Sequence, residues 1–434
     1  MGGMNNMVKL TEYEKRMLNN EMGPFKQRAL QKIVDYANVL GAEELCEVTK
    51  ATVYFGAHPY LDVVDSDNYD EIFSKMVLCS DNVLKVDEFE KSCFSQTCVG
   101  PCDHYVWEPL NLTKEVFDKN QEYLNITKEV GVSIAGSCTP FLNGWIPLRG
   151  EHFVTTESSN VIMANSVFGA YGNADGLEAA AWSAICGRTP KWGNHIKENR
   201  YGTHIFDIQC KSDTVMDWDI IGYTIGRLLP PHARPIIAGN FKKPDIIKLK
   251  QCFGSMATTS GAEICHIVGI TPEADDLEMA LAGQEPQGTI IISQEEYDKS
   301  FDNICEKGSG DIQRVILGCP HYSLEEIKET ADYLKGKKIT EDVTVWIWTD
   351  ISTQAMADAS GYTKTINEAG AQLFNSACPL VIGRNCLDDI NGLATDGAKQ
   401  AHYIRSDIDA RVYYGTREQC LDAAVRGKWE GEDE

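Results

Sequence analysis

Val315-Ile316-Leu317-Gly318-Cys319-Pro320-His321-Tyr322-Ser323-Leu324-Glu325-Glu326 is the stretch that decides the fold. Its short apolar, β-branched opening is the pattern of a buried strand, and Gly318 and Pro320 stop that strand. Ser323 with Glu326 three positions on makes a capping box, so a helix is expected from Leu324 to Leu334. The segment reads as strand, turn and helix, with a cysteine in the turn.

The same alternation runs outward in both directions. Val132 to Ala135, Thr203 to Ile208, Pro235 to Ala238, Ile264 to Val268, Thr289 to Ile292 and Val343 to Ile347 are further short strand patterns. Helical patterns stand between them over Asp217 to Leu228, Asp245 to Phe253 and Pro272 to Leu281. At the start, Leu18, Met22, Phe25, Ala29, Ile33, Tyr36 and Leu40 keep helical spacing, which Gly23-Pro24 breaks into a short helix and a longer one. Such alternation predicts an α/β fold of parallel sheets covered by helices. Its 434 residues are too many for one ordinary core. The expected division is an N-terminal lobe or lobes over 8–230, a C-terminal lobe or lobes over 231–426 from a break near Pro230-Pro231, and a frayed acidic tail over 427–434.

Forty basic residues against sixty-four acidic ones leave a net charge of -24. A phosphate backbone needs local positive potential, and no lysine or arginine cluster supplies it, so nucleic-acid binding is disfavoured. No apolar run approaches the roughly 18 residues that cross a bilayer, so no membrane role is expected. The N-terminus lacks the apolar core of a signal peptide, and the expected compartment is the cytoplasm. Fifteen cysteines are many for that compartment, where disulfides rarely persist.

Three of those cysteines share one setting. Cys138 in Ser137-Cys138-Thr139-Pro140, Cys319 in Gly318-Cys319-Pro320 and Cys378 in Ala377-Cys378-Pro379 each follow a strand pattern and precede a proline by one or two residues. The carboxyl edge of an open α/β sheet is where its ligand crevice lies. Three thiolates from separate loops suit an iron–sulfur cluster with one iron left open, although three unremarkable buried cysteines would read the same way. Cys93, Cys98 and Cys102 form a second group, with Cys79 upstream and His104 nearby. Their spacing fits no metal motif well, and a loop packed on its own thiols accounts for them better than a metal site does.

Further motifs surround these cysteines. They include Leu10-Thr11-Glu12, Asn20-Glu21-Met22-Gly23, Ala57-His58, Cys138-Thr139-Pro140-Phe141, Glu157-Ser158-Ser159 and Ala164-Asn165-Ser166-Val167-Phe168-Gly169-Ala170. Gly187-Arg188-Thr189-Pro190, Gly269-Ile270-Thr271-Pro272, Gly318-Cys319-Pro320-His321, Lys399, Ala401-His402-Tyr403 and Gly427-Lys428-Trp429 follow in order. Taken together the sequence resembles the large subunit of the aconitase X family along nearly its whole length. The resemblance implies aconitase-like lobes without the swivelling domain, which would come as a separate small subunit supplying the catalytic base. It also implies a cluster, of 2Fe–2S, 3Fe–4S or 4Fe–4S type, held by Cys138, Cys319 and Cys378. The family's members dehydrate cis-3-hydroxy-L-proline or 5-phosphomevalonate. This chain departs from the pattern where an arginine is usual, at Ala170 to Gly176. It departs again in the region of Cys93 to Pro109 and before Lys399, where Thr395-Asp396-Gly397-Ala398 stands without the family's serine.

Within that frame His58, Glu157 and His321 are the candidate catalytic residues. For either histidine a structural role or a hydrogen bond to a cluster ligand is the alternative. Ser158, Ser159, Asn165, Arg188 and Lys399 are the candidate substrate-binding residues. Ser159 would otherwise cap a helix, Asn165 would otherwise pack, and Arg188 or Lys399 would otherwise make a structural ion pair. The expected function is a hydro-lyase acting on a small hydroxy acid, with cis-3-hydroxy-L-proline the first candidate. Phosphomevalonate dehydration, an aconitase-type isomerisation and a non-catalytic binding role are the alternatives.

Overall fold

The computed structural model describes residues 8–55, 66–90, 93–95, 103–382, 387 and 390–431. His58, Cys98 and Cys102 lie outside these residues, as does the side chain of Cys93.

Three sheets carry the molecule. The first has the order β3-β2-β1-β4, from Val132–Ser133, Cys93–Ser95, Leu45–Val53 and His152–Thr155, and β5 (Arg188–Pro190) pairs antiparallel with β1. The second has the order β8-β7-β6-β9, from His266–Ile267, Pro235–Gly239, His204–Ile208 and Gly288–Ile292. The third has the order β13-β12-β11-β14-β15, from Ala371–Asn375, Thr344–Thr349, Arg314–Leu317, Gly392–Thr395 and Arg411–Tyr414. Every pairing along these three orders is parallel. The α/β expectation holds, and its physical basis is visible in β12. That strand is buried at all but its first residue, as a strand covered on both faces must be.

Two boundary expectations need correction. Pro230-Pro231 joins the helix Val215–Leu228 to β7, and β7 lies beside β6 in one sheet. A break there would cut a strand–helix–strand unit whose two strands pair in parallel, so 230 lies inside the second unit. The tail is also ordered where it starts. Lys428–Trp429 forms β16, which pairs with β10 (Gly310–Asp311), and the Trp429 ring stacks on Tyr413 with centroids 5.5 Å apart.

Local sequence accounts for the elements that set up the thiol loops. The helix Leu324–Leu334 begins at the Ser323–Glu326 capping box read from sequence. Trp346, Trp348 and Phe374 pack together beneath β12 and β13, with Trp348 and Phe374 centroids 5.1 Å apart. Burying a ring such as Phe374 contributes about 1.5–3 kcal/mol, which anchors the strand leading to Cys378.

Candidate active site

Cys138, Cys319 and Cys378 each lie beyond the carboxyl end of a strand, after β3, β11 and β13. The three loops pack on one another. A Cβ added to Gly136 would fall 2.8 Å from the Cα of Ser376, and one added to Gly397 would fall 2.4 Å from the carbonyl oxygen of Cys319. Only glycine permits approaches so close. His321 ties the loops together. Its backbone N–H donates to Cys138 Sγ at 3.3 Å, and its Nε2–H donates to the Ala377 carbonyl at 3.0 Å.

Among the described cysteines these three alone are half-buried, whereas Cys79 is exposed and the others are buried. Burial pushes the Cys378 thiol up to about 12, and the neighbouring Cys138 adds to that. Burial also raises Cys319 well above its ordinary value; Lys399 opposes the rise, and Cys378 and Cys138 reinforce it. Each sulfur therefore sits within the electrostatic reach of the others. Three thiols so placed ionise together only around a multivalent cation, and thiolates in that number are the donor set of an iron–sulfur centre.

Lys399 lies in the first turn of the helix Ala398–Asp407 and meets Glu157, whose Oε1 is 3.3 Å from its Nζ. Burial alone would lower the lysine, but Glu157 and the thiols of Cys319 and Cys138 outweigh it and hold the ammonium well above its ordinary value. Glu157 stands at the N-terminal cap of the helix Ser158–Ser166 and also accepts from the Ser159 hydroxyl at 3.2 Å. Ser159 donates there and does not cap the helix, which has no side-chain cap. Ser158, the first helical residue, is exposed.

Two expected substrate contacts turn out to be structural. Arg188 Nε binds Glu14 at 2.8 Å, with both side chains largely buried, and its guanidinium lies over the Tyr13 ring. It ties β5 to the N-terminal helix Glu12–Leu18. Asn165 is fully buried and saturated. Its Oδ1 accepts from Arg200 and Gly172, and its Nδ2 donates to the carbonyls of Gly172 and Glu263. No donor or acceptor of that amide remains for a substrate. His321 is 1% exposed, its Nε2–H is bonded to Ala377, its Nδ1 is buried with no partner among the described residues, and burial pushes its pKa well below the ordinary value. It acts as a brace between loops.

Sequence reasoning missed the polar scaffold beneath the thiols. Lys250 donates to the His321 carbonyl at 3.0 Å and to Glu326 at 2.7 Å, and Gln251 donates to the Cys319 carbonyl at 3.0 Å. Asp103 accepts from the backbone of Tyr105, Val106 and Asn375, and so ties the segment before Cys378 to a distant loop. Acids and lysines within otherwise apolar helices, such as Asp219 and Lys250, were the available signal. Nothing local marked Asp103.

Family models match nearly the whole chain. The aconitase X first domain matches residues 7–198, the second domain 202–302 and the third domain 312–426. The phosphomevalonate dehydratase large subunit of Methanocaldococcus jannaschii is 27% identical over 420 residues, covering 95% of this chain and 99% of that protein. The cis-3-hydroxy-L-proline dehydratase of Pseudomonas aeruginosa is 29% identical over 305 residues, covering 69% of this chain and 52% of that protein. The holo-form crystal structure of Thermococcus kodakaraensis aconitase X superposes with a TM-score of 0.81 at 26% identity, covering 96% of this chain and all of that one. Three sheets, three converging thiol loops and three domain models in series lead to one assignment: the chain belongs to the aconitase X family.

Proposed function

We propose that this chain is the large subunit of a two-subunit hydro-lyase that removes water from a small hydroxy carboxylic acid. The observation that carries the reading is the packing of the Cys138, Cys319 and Cys378 loops around one point, with the Lys399–Glu157 pair beside it. Those three thiols would hold the iron–sulfur cluster, which when bound supplies a Lewis-acidic position that helps hydroxide leave. Lys399 offers a fixed positive charge to the substrate carboxylate. Glu157 orients that lysine and, with Ser158 and Ser159, presents oxygen atoms to the substrate's polar groups. The Lys250 and Gln251 bonds hold the Cys319 loop rigid, so that the geometry needs no reorganisation during reaction.

Removal of the substrate proton is assigned to the small swivelling subunit. The full-length match to proteins named as large subunits supports that division. Substrate choice falls between the two hydroxy acids that relatives are named for. The test is anaerobic co-expression with an aconitase X small subunit, followed by mass analysis of product from each acid. Loss of one water from either acid, only when both subunits are present, is expected. An unchanged mass with a rearranged product would replace dehydration by isomerisation, and no turnover of either acid by the reconstituted pair would reject the reading.

A further inference from the structure

A second cluster of donors lies in the first sheet and shares no residue with the thiol loops. Cys46 is on β1, His152 opens β4, and His195 ends the 3-10 turn Gly193–His195 that follows β5. Register brings them together. Val48 pairs with His152, and Cys46 stands two residues earlier, on the same face of the strand as Val48. Cys46 also pairs with Thr189 of β5, which leads into the turn that carries His195. One donor atom from each of the three lies within 4.8 Å of the other two. The two imidazoles face each other through Nδ1, at 3.0 Å.

We propose that Cys46, His152 and His195 bind a transition-metal dication of the zinc type, with a fourth position open to solvent. Two nitrogens on a tetrahedral zinc lie about 3.3 Å apart, close to the separation of the Nδ1 pair. A mix of one thiolate and two neutral imidazoles suits zinc better than calcium or magnesium, which take oxygen ligands. Without a cation the cluster is poorly used. A proton shared between the Nδ1 atoms engages only those two nitrogens and leaves the neighbouring Cys46 thiol outside the bond. His195 is 1% and Cys46 6% exposed, so both donors are held away from bulk solvent. The half-buried His152 borders a cavity of about 710 Å³ that is also lined by Glu44, Lys191, Lys197 and Glu198, and the fourth ligand would enter from there. Lys191 is paired with Glu44, which offsets its repulsion of a cation. Binding would staple β1 and β4 to the turn after β5.

The experiment uses the full chain with Cys138→Ala, Cys319→Ala and Cys378→Ala together, so that the thiol loops cannot compete, stripped with chelator and titrated with Co2+ and then with Zn2+ under anaerobic conditions. One equivalent of Co2+ with a sulfur-to-cobalt charge-transfer band is expected, displaced by one equivalent of Zn2+. His152→Gln should weaken binding at least about 100-fold, and Cys46→Ser should abolish the charge-transfer band. X-ray absorption of the bound zinc, which needs no variant, should show one sulfur and two imidazole nitrogens. A chain that binds neither metal, spectra unchanged in both variants, or a zinc shell without that donor set overturns the site.

Discussion

Lys399 reaches Glu157 across 242 residues of sequence, Nζ to Oε1 at 3.3 Å, beside the thiols of Cys319 and Cys138. A lysine held this far above its ordinary value keeps its charge at every working pH. Lys399→Met should therefore lower kcat/KM by about 10²–10³-fold, or about 2.7–4 kcal/mol of transition-state stabilisation. Iron content measured on the same preparation should stay unchanged. A parallel loss of iron would mean that the lysine holds the cluster and not the substrate.

The cysteines divide into two groups by setting, and substitution should separate them. Cys319→Ala should abolish both the brown colour and the cluster iron of anaerobically purified protein. Cys252 is a control because it lies fully buried in the helix Ile246–Thr259 with no exposed sulfur. Cys252→Ala should keep full iron while losing some stability to the cavity left behind. Wild-type protein that stays colourless and iron-free after reconstitution would reject the cluster assignment.

What could be read from sequence follows from how local each signal is. The helix Leu324–Leu334 was legible because its cap, its first turn and its apolar face lie within twelve residues. The strand-end setting of Cys138, Cys319 and Cys378 was legible for a related reason, since each loop carries its own strand end and its own proline. The roles of Arg188 and Asn165 were not. An arginine in a glycine-flanked loop looks the same whether it meets a substrate carboxylate or Glu14, and Glu14 lies 174 residues away. The boundary at 230 failed similarly, because two prolines look like a linker unless the pairing of β6 with β7 is known. His58 lies outside the described residues, so its catalytic reading stands as a proposal.

Lys250 and Glu326 form an ion pair whose side chains are 1% and 8% exposed, with the lysine also bonded to the His321 carbonyl. Removing one member of such a pair strands the other charge. Lys250→Met should cost about 3–5 kcal/mol by urea denaturation. The double variant with Glu326→Gln should cost less, because glutamine is neutral and can keep the Ser323 cap. Iron retention should fall in the single variant as the His321 loop loses its donor. A double variant no more stable than the single one would show that the ion pair is not the source of the loss.

Asp219 tests how the scaffold behind the site responds to pH. It is fully buried in the helix Val215–Leu228 and accepts from the Ser255 hydroxyl, the Ala398 N–H, the Tyr414 hydroxyl and the Gln251 amide. Burial outweighs these bonds and pushes its carboxyl up to about 7. In the unfolded chain the same group releases its proton near about 3.9. Between those values the folded state binds more protons than the unfolded state, so stability falls as pH rises through that window. Asp219→Asn has no proton to lose, and its amide can donate to Ser255, whose hydroxyl is free to turn and accept. The variant should therefore gain stability relative to wild type between about pH 4.5 and about pH 7.5. Burial holds His195 down to about 3, which gives a slope of opposite sign, but that slope is common to both proteins and cancels in the difference. Urea midpoints at the two pH values decide the matter: a difference between the proteins that stays constant would mean that Asp219 is already ionised in the folded state at the lower pH.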